Sequence, residues 1–79
     1  MKIYVGNLPW SVTDLELQNL FTPFGDVESA RVVTDRESGR SRGFGFVEMA
    51  PQLALTAIAK LNGHRIESRV LRVNEAQPK

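Results

Sequence analysis

Two hydrophobic rhythms alternate along the chain. Lys2-Ile3-Tyr4-Val5-Gly6-Asn7-Leu8 places Ile3 and Val5 on one side and Lys2, Tyr4 and Gly6 on the other. That period of two predicts a strand. Leu17, Leu20, Phe21 and Phe24 then recur at helical spacing, and Pro23 and Gly25 stop the helix. Val27–Thr34 returns to alternation, with Ala30 and Val32 inward and Ser29, Arg31 and Val33 outward. A polar hairpin loop over residues 35–41 leads into a third strand, Arg42–Met49. Ala54, Ala57, Ile58 and Leu61 make a second helical stripe. Pro51 suits its first position, and Asn62-Gly63 ends it. A last strand runs around Val70–Asn74, with Leu71 and Val73 inward and Arg72 and Asn74 outward. A short polar tail follows from Glu75 to Lys79.

The helix starts differ. Thr13-Asp14-Leu15-Glu16 is a capping box, and Val12 and Leu17 flank it as a hydrophobic staple. Ala50 and Pro51 offer the second helix no side-chain cap. Its Leu53 and Leu55 lie off the apolar stripe and are expected to be singly exposed leucines, which are common on surfaces.

The third strand has its faces inverted for a soluble protein. Arg42, Phe44, Phe46 and Glu48 share one face, while Gly43, Gly45, Val47 and Met49 share the other. The inward glycines allow a helix to come close, with the small alanines of the second helix as the expected partners. The outward face is left with two aromatic rings flanked by charge, which suggests a place where something stacks. Tyr4 beside Lys2 repeats the motif on the first strand.

These strands carry a resemblance. Arg42-Gly43-Phe44-Gly45-Phe46-Val47-Glu48-Met49 matches seven of the eight positions of the octamer K/R-G-F/Y-G/A-F-V-x-F/Y of the RNA recognition motif. The departure is Met49, which faces inward by parity. Ile3-Tyr4-Val5-Gly6-Asn7-Leu8 resembles the family's companion hexamer, about one βαβ unit earlier. The resemblance covers nearly the whole chain. It implies an α+β fold of the split β-α-β-β-α-β (ferredoxin-like) kind: a four-stranded antiparallel sheet with two helices on one face. It also puts the first and third strands side by side at the sheet centre. Tyr4, Phe44 and Phe46 then form one exposed cluster. The resemblance assigns stacking to Tyr4 and Phe44 and sugar packing to Phe46. Asn74 and the strand-end backbone at Glu75 and Ala76 would read base edges.

Single-stranded RNA has unstacked bases that aromatic side chains can meet whatever their sequence. Arg31, Arg42 and Arg72 lie outward by parity and Lys2 beside them, positioned for phosphates. The expected RNA-binding set is Lys2, Tyr4, Asn7, Trp10, Arg31, Arg40, Arg42, Phe44, Phe46, Arg72, Asn74, Glu75 and Ala76, with single-stranded DNA as a second possible ligand. Trp10 either stacks on a base beside the sheet or pins its loop. The loop role is the expectation, because tryptophan is highly buried on average. Arg36 and Arg40 read first as a solvated charged turn, with closure over RNA the other reading. His64 follows the helix stop and is expected to be a loop residue.

Composition narrows the classes. The 79 residues suffice for one small domain spanning 1–79. Net charge is only +1 but is polarised. Residues 11–28 hold Asp14, Glu16, Asp26 and Glu28 and no base. Residues 60–72 hold Lys60, Arg65, Arg69 and Arg72 against Glu67. There is no cysteine, which is compatible with a reducing compartment, and one histidine leaves little material for a metal site. No apolar run approaches the ~20 residues of a membrane span. A cytoplasmic monomer without cofactor is expected, with a nuclear location open if the source is eukaryotic. No nucleophile–base pair or phosphate loop points to an enzyme, and Gly43-x-Gly45 lies within a strand rather than at a strand-to-helix turn. The competing reading is a protein-interaction domain on the same scaffold that uses its helical face.

Overall fold

A computed structural model describes residues 1–76 and builds them from the two rhythms. The strands are β1 (Lys2–Gly6), β2 (Val27–Thr34), β3 (Ser41–Met49), β4 (Arg65–Ile66), β5 (Arg69–Val70) and β6 (Arg72–Glu75). The helices are α1 (Asp14–Phe21) and α2 (Pro51–Leu61). Thr13 caps α1 as its sequence predicts. The Glu16 N–H donates to Thr13 Oγ1 and the Thr13 N–H donates to Glu16 Oε1, both at 3.2 Å. A short 3-10 turn, Thr22–Phe24, ends this segment at Gly25. Helix α2 starts without a side-chain cap, with Pro51 in its first turn.

Four strands form one antiparallel sheet in the order β2-β3-β1-β6. The two central strands pair Lys2 with Glu48, Tyr4 with Phe46 and Gly6 with Phe44. The edges are tied down by side chains. Asp14 at the start of α1 accepts the Val32 N–H of β2 at 2.7 Å, and Asn62 after α2 accepts the Val73 N–H of β6 at 3.1 Å. Such bonds occupy edge groups that would otherwise be open to another chain.

The core is a single cluster. It joins Ile3, Val5, Val47, Met49, Leu71 and Val73 from the sheet to Leu17 and Phe21 of α1 and Ala54, Ala57 and Leu61 of α2. Both helices therefore cover the same face. Among the described residues, no polar or charged side chain is buried.

Four expectations change. The close approach at Gly45 is made by α1 and β2 rather than by the alanines of α2. A Cβ at Gly45 would run into the Arg31 carbonyl oxygen and reach 3.0 Å from Leu17 Cδ2. Leu53 is partly buried rather than exposed, because its methyl groups fill the space left by Gly25, whose φ is 139°. Leu55 is exposed as expected. The last strand is preceded by a separate hairpin, β4–β5, turning at Glu67 and Ser68. Glu67 takes a left-handed φ of 56° there, a conformation its residue type does not advertise. Finally, Gly43 has a φ of 83°, so strict alternation begins only after it. Of the expected polar tail, residues 77–79 lie outside the described residues.

Candidate nucleic-acid interface

The helix-free face of the sheet is built from the outward residues of β1 and β3. Tyr4, Phe44 and Phe46 meet there with ring centroids 5.9–6.0 Å apart. Each ring is half-buried. Gly6 makes this possible. A Cβ at Gly6 would lie 2.8 Å from Tyr4 Cε2, so the tyrosine ring lies over the glycine and leans toward Phe44 across the strand pair. Tyr4 and Phe44 are tilted by only 33°, while Phe46 stands at 63° and 88° to them. Spacing alone gives Phe46 no role apart from the other two rings.

Cations surround the rings. Lys2 Nζ sits 4.7 Å from the Phe46 centroid, within cation–π range. Arg31 is the cross-strand partner of Phe46 on β2. Arg72 lies opposite Gly6 on β6, and Asn74 lies opposite Tyr4. Arg31, Arg42, Arg72, Asn74 and Glu75 are all exposed. Arg40 and Arg36 are exposed in the β2–β3 loop. That loop is closed by the Asp35 N–H donating to the Arg40 carbonyl at 2.7 Å, and by the Asp35 carboxylate accepting from Glu37 and Ser38 N–H at 2.8 and 3.1 Å. These bonds, led by that of Ser38, hold the Asp35 carboxyl below the ordinary aspartate range, and Arg42 adds to the effect.

Trp10 departs from its expected loop role, and Asn7 and Ala76 are engaged within the fold. Trp10 is 68% exposed, so it does not pin its loop by burial. Its indole edge lies 3.7 Å from the place a Cβ would take on Gly43. Asn7, at φ 61°, uses its amide to hold the hairpin: Nδ2 donates to the Val70 carbonyl at 2.9 Å and Oδ1 accepts from Arg69 Nη1 at 3.0 Å. Ala76 donates its N–H to the Lys2 carbonyl at 2.9 Å, so this group continues the sheet and is not offered to a base. Arg69 was outside the expected set and yet shares a cleft with Trp10, Arg42, Phe44 and Arg72. Its only signal in the sequence is the basic balance of residues 60–72.

A family model, the RNA recognition motif, matches residues 3–72. The chain belongs to the RNA recognition motif family. It is 54% identical over 77 residues to the chloroplastic 31 kDa ribonucleoprotein of Nicotiana sylvestris, covering 96% of this chain and 24% of that one. It is 48% identical over 77 residues to a glycine-rich RNA-binding protein of Arabidopsis thaliana, covering 96% of this chain and 46% of the relative. The chain thus spans less than half the length of these relatives. Among solved structures, the RNA-binding protein PG1 superposes with a TM-score of 0.94 at 50% identity, covering all of this chain and 96% of that one. The Sex-lethal protein in its RNA complex gives 0.94 at 33% identity, covering 99% of this chain and 47% of that chain. These likenesses confirm the split βαβ fold expected from the motif. The family is one of binding modules. Among the described residues, no helix is long and apolar enough to cross a membrane.

Proposed function

We propose that residues 1–79 act as one module that binds single-stranded RNA on the open face of the sheet. The observation that carries this reading is the Tyr4–Phe44–Phe46 cluster, which no helix covers and which Lys2, Arg31, Arg42 and Arg72 surround. Bases and sugars pack on the rings, and the cations meet phosphates. Without a ligand the rings form an apolar patch that adds little to the fold, since the core lies on the other face. Asn74 and Glu75, the β6 partners of Tyr4 and Ile3, would meet base edges at the edge of the platform. The names of the relatives and the RNA complex of a structural neighbour support the same reading. Binding needs no cofactor and no catalytic group, one copy suffices, and a reducing compartment such as the cytoplasm suits a chain without cysteine. The test is selection from a randomised single-stranded RNA pool, with the same pool as DNA in parallel. Enrichment of RNA sequences that Tyr4→Ala no longer retains is the expected result. Failure to retain either pool would end the proposal.

A further inference from the structure

We infer that the cleft between Trp10 and the arginines Arg42, Arg69 and Arg72, which adjoins the ring platform at Tyr4 and Phe44, is a further nucleotide subsite, in which a base rests on the Trp10 indole and its phosphate on Arg69. The inference rests on the RNA-binding reading and extends it beyond the sheet.

Four observations lead there. First, the cleft lies at the end of the platform where Phe44 pairs with Gly6, so a strand of RNA leaving the rings runs into it. Second, Trp10 is 68% exposed, which is unusual for the residue type, and its indole edge lies beside Gly43 of β3. Third, three arginines line the cleft without an aspartate or glutamate among the lining residues. Converging like charges repel, and an anion relieves them. Fourth, Arg69 is held in place. Asn7 grips its Nη1 at 3.0 Å and the Val70 carbonyl at 2.9 Å, which fixes the hairpin to the end of β1. That bond uses one of the five guanidinium N–H donors and leaves the others to meet a phosphate.

The pairing of one π-face with a held cation, Arg69, and two more beside it selects a nucleotide over an acidic peptide. A peptide carboxylate would satisfy the arginines and leave the indole bare. A nucleotide supplies both partners from one unit, and it is already tethered to the nucleotides on Tyr4, Phe44 and Phe46. Arg69 and Trp10 would therefore set how many nucleotides the module covers.

Trp10 is the single tryptophan, so its fluorescence reports on the cleft alone. The probes are single-stranded oligouridylates lengthened one nucleotide at a time, titrated against the 79-residue chain by anisotropy and by tryptophan quenching. In the unmodified chain, quenching begins only at the length where affinity takes its last step. Trp10→Ala and Arg69→Ala lose that step, about 5- to 150-fold as expected for one stacked base, and match the parent on shorter oligomers. Tyr4→Ala weakens every length. Three results would overturn the subsite. Both variants could match the parent at all lengths. Arg69→Ala could weaken all lengths equally with a lowered melting temperature, which is a purely structural role. Polyglutamate could quench Trp10 as fully as the oligouridylates do, which is a general anion site. Absence of binding at every length in the parent would instead overturn the RNA-binding reading itself.

Discussion

β1 and β3 present two opposite surfaces from the same backbone. On the back, Ile3, Val5, Val47 and Met49 are fully buried beneath the helices. On the front, Tyr4, Phe44 and Phe46 are half-buried with ring centroids 5.9–6.0 Å apart. Fully burying a large aliphatic side chain contributes about 1.5–3 kcal/mol, whereas an aromatic pair adds only about 0.5–1.5 kcal/mol beyond its area. The fold depends on one face and tolerates change on the other. A small domain has little stability to give away, so rings kept on the face that contributes less to folding point to a use outside the fold.

The largest effect separates the faces from behind. Ile3→Ala should destabilise the fold by about 2–5 kcal/mol, through lost transfer energy and the cavity left beneath the helices. Urea unfolding measures it. The folded fraction should bind RNA with nearly unchanged affinity. A loss under about 1 kcal/mol would mean that the back face is not the core.

The next effect comes from the front. Tyr4→Ala or Phe44→Ala should weaken RNA binding by about 1–3 kcal/mol per ring, while stability falls by only about 0.2–1 kcal/mol from lost cross-strand contacts. Val47→Ala, the neighbour between Phe46 and Glu48 that points the other way, is the matched control: it should lower the melting temperature and spare binding. Phe46→Ala in the same series decides whether the third ring contributes as a stacking surface like the other two. If Phe44→Ala unfolds the chain while Val47→Ala abolishes binding in a stable fold, the faces are exchanged.

What was legible follows the same division. Parity on β1 and β3 identified both surfaces, because the period of two survives wherever strands are regular. The Thr13–Glu16 capping box was equally plain, since its chemistry is local and both bonds form. The residues that escaped depend on tertiary contacts. Arg69 reaches the site only because the β4–β5 hairpin folds back and Asn7 holds it, and the Glu67–Ser68 turn lacks the glycine or asparagine that marks such turns. The expectation for Trp10 followed the average behaviour of tryptophan, which cannot register that this loop holds its indole out on the surface. Leu53 read as an exposed leucine because the space it fills belongs to Gly25, on another element.

Charge sharpens the contrast more gently. If Arg31, Arg42 and Arg72 neutralise about three phosphates, the slope of log affinity against log salt should be about −2 for a single strand. Isothermal titrations over a salt series give it. A slope steeper than about −5 would mean a larger basic surface than the open face offers. Away from both faces, Thr13→Ala should remove the α1 cap and about 1 kcal/mol of stability, leaving the salt slope and affinity of the folded chain unchanged. Loss of RNA binding there would show that α1, on the covered side, takes part in recognition.

The smallest effect concerns Asp35, at the rim between the platform and the β2–β3 loop. Its carboxylate is held by the Ser38 and Glu37 N–H groups, with Arg42 nearby, so its pKa is lowered. A lowered carboxyl pKa favours the charged form in the folded loop. The contribution to loop order is therefore fully present above the ordinary aspartate value of 3.8 and is lost as pH falls through the lowered one. The side chain is fully exposed, so the global melting temperature should barely move through this group. The Glu37 and Ser38 amide resonances should instead titrate with a midpoint below 3.8. Asp35→Asn keeps an acceptor for the two N–H groups but removes the charge, and should abolish that titration while leaving Tyr4, Phe44 and Phe46 in place. A midpoint at or above the ordinary value would mean that the loop is not closed on Asp35 in solution. Arg36 and Arg40 would then be carried by an open segment rather than by a turn fixed at the rim of the platform.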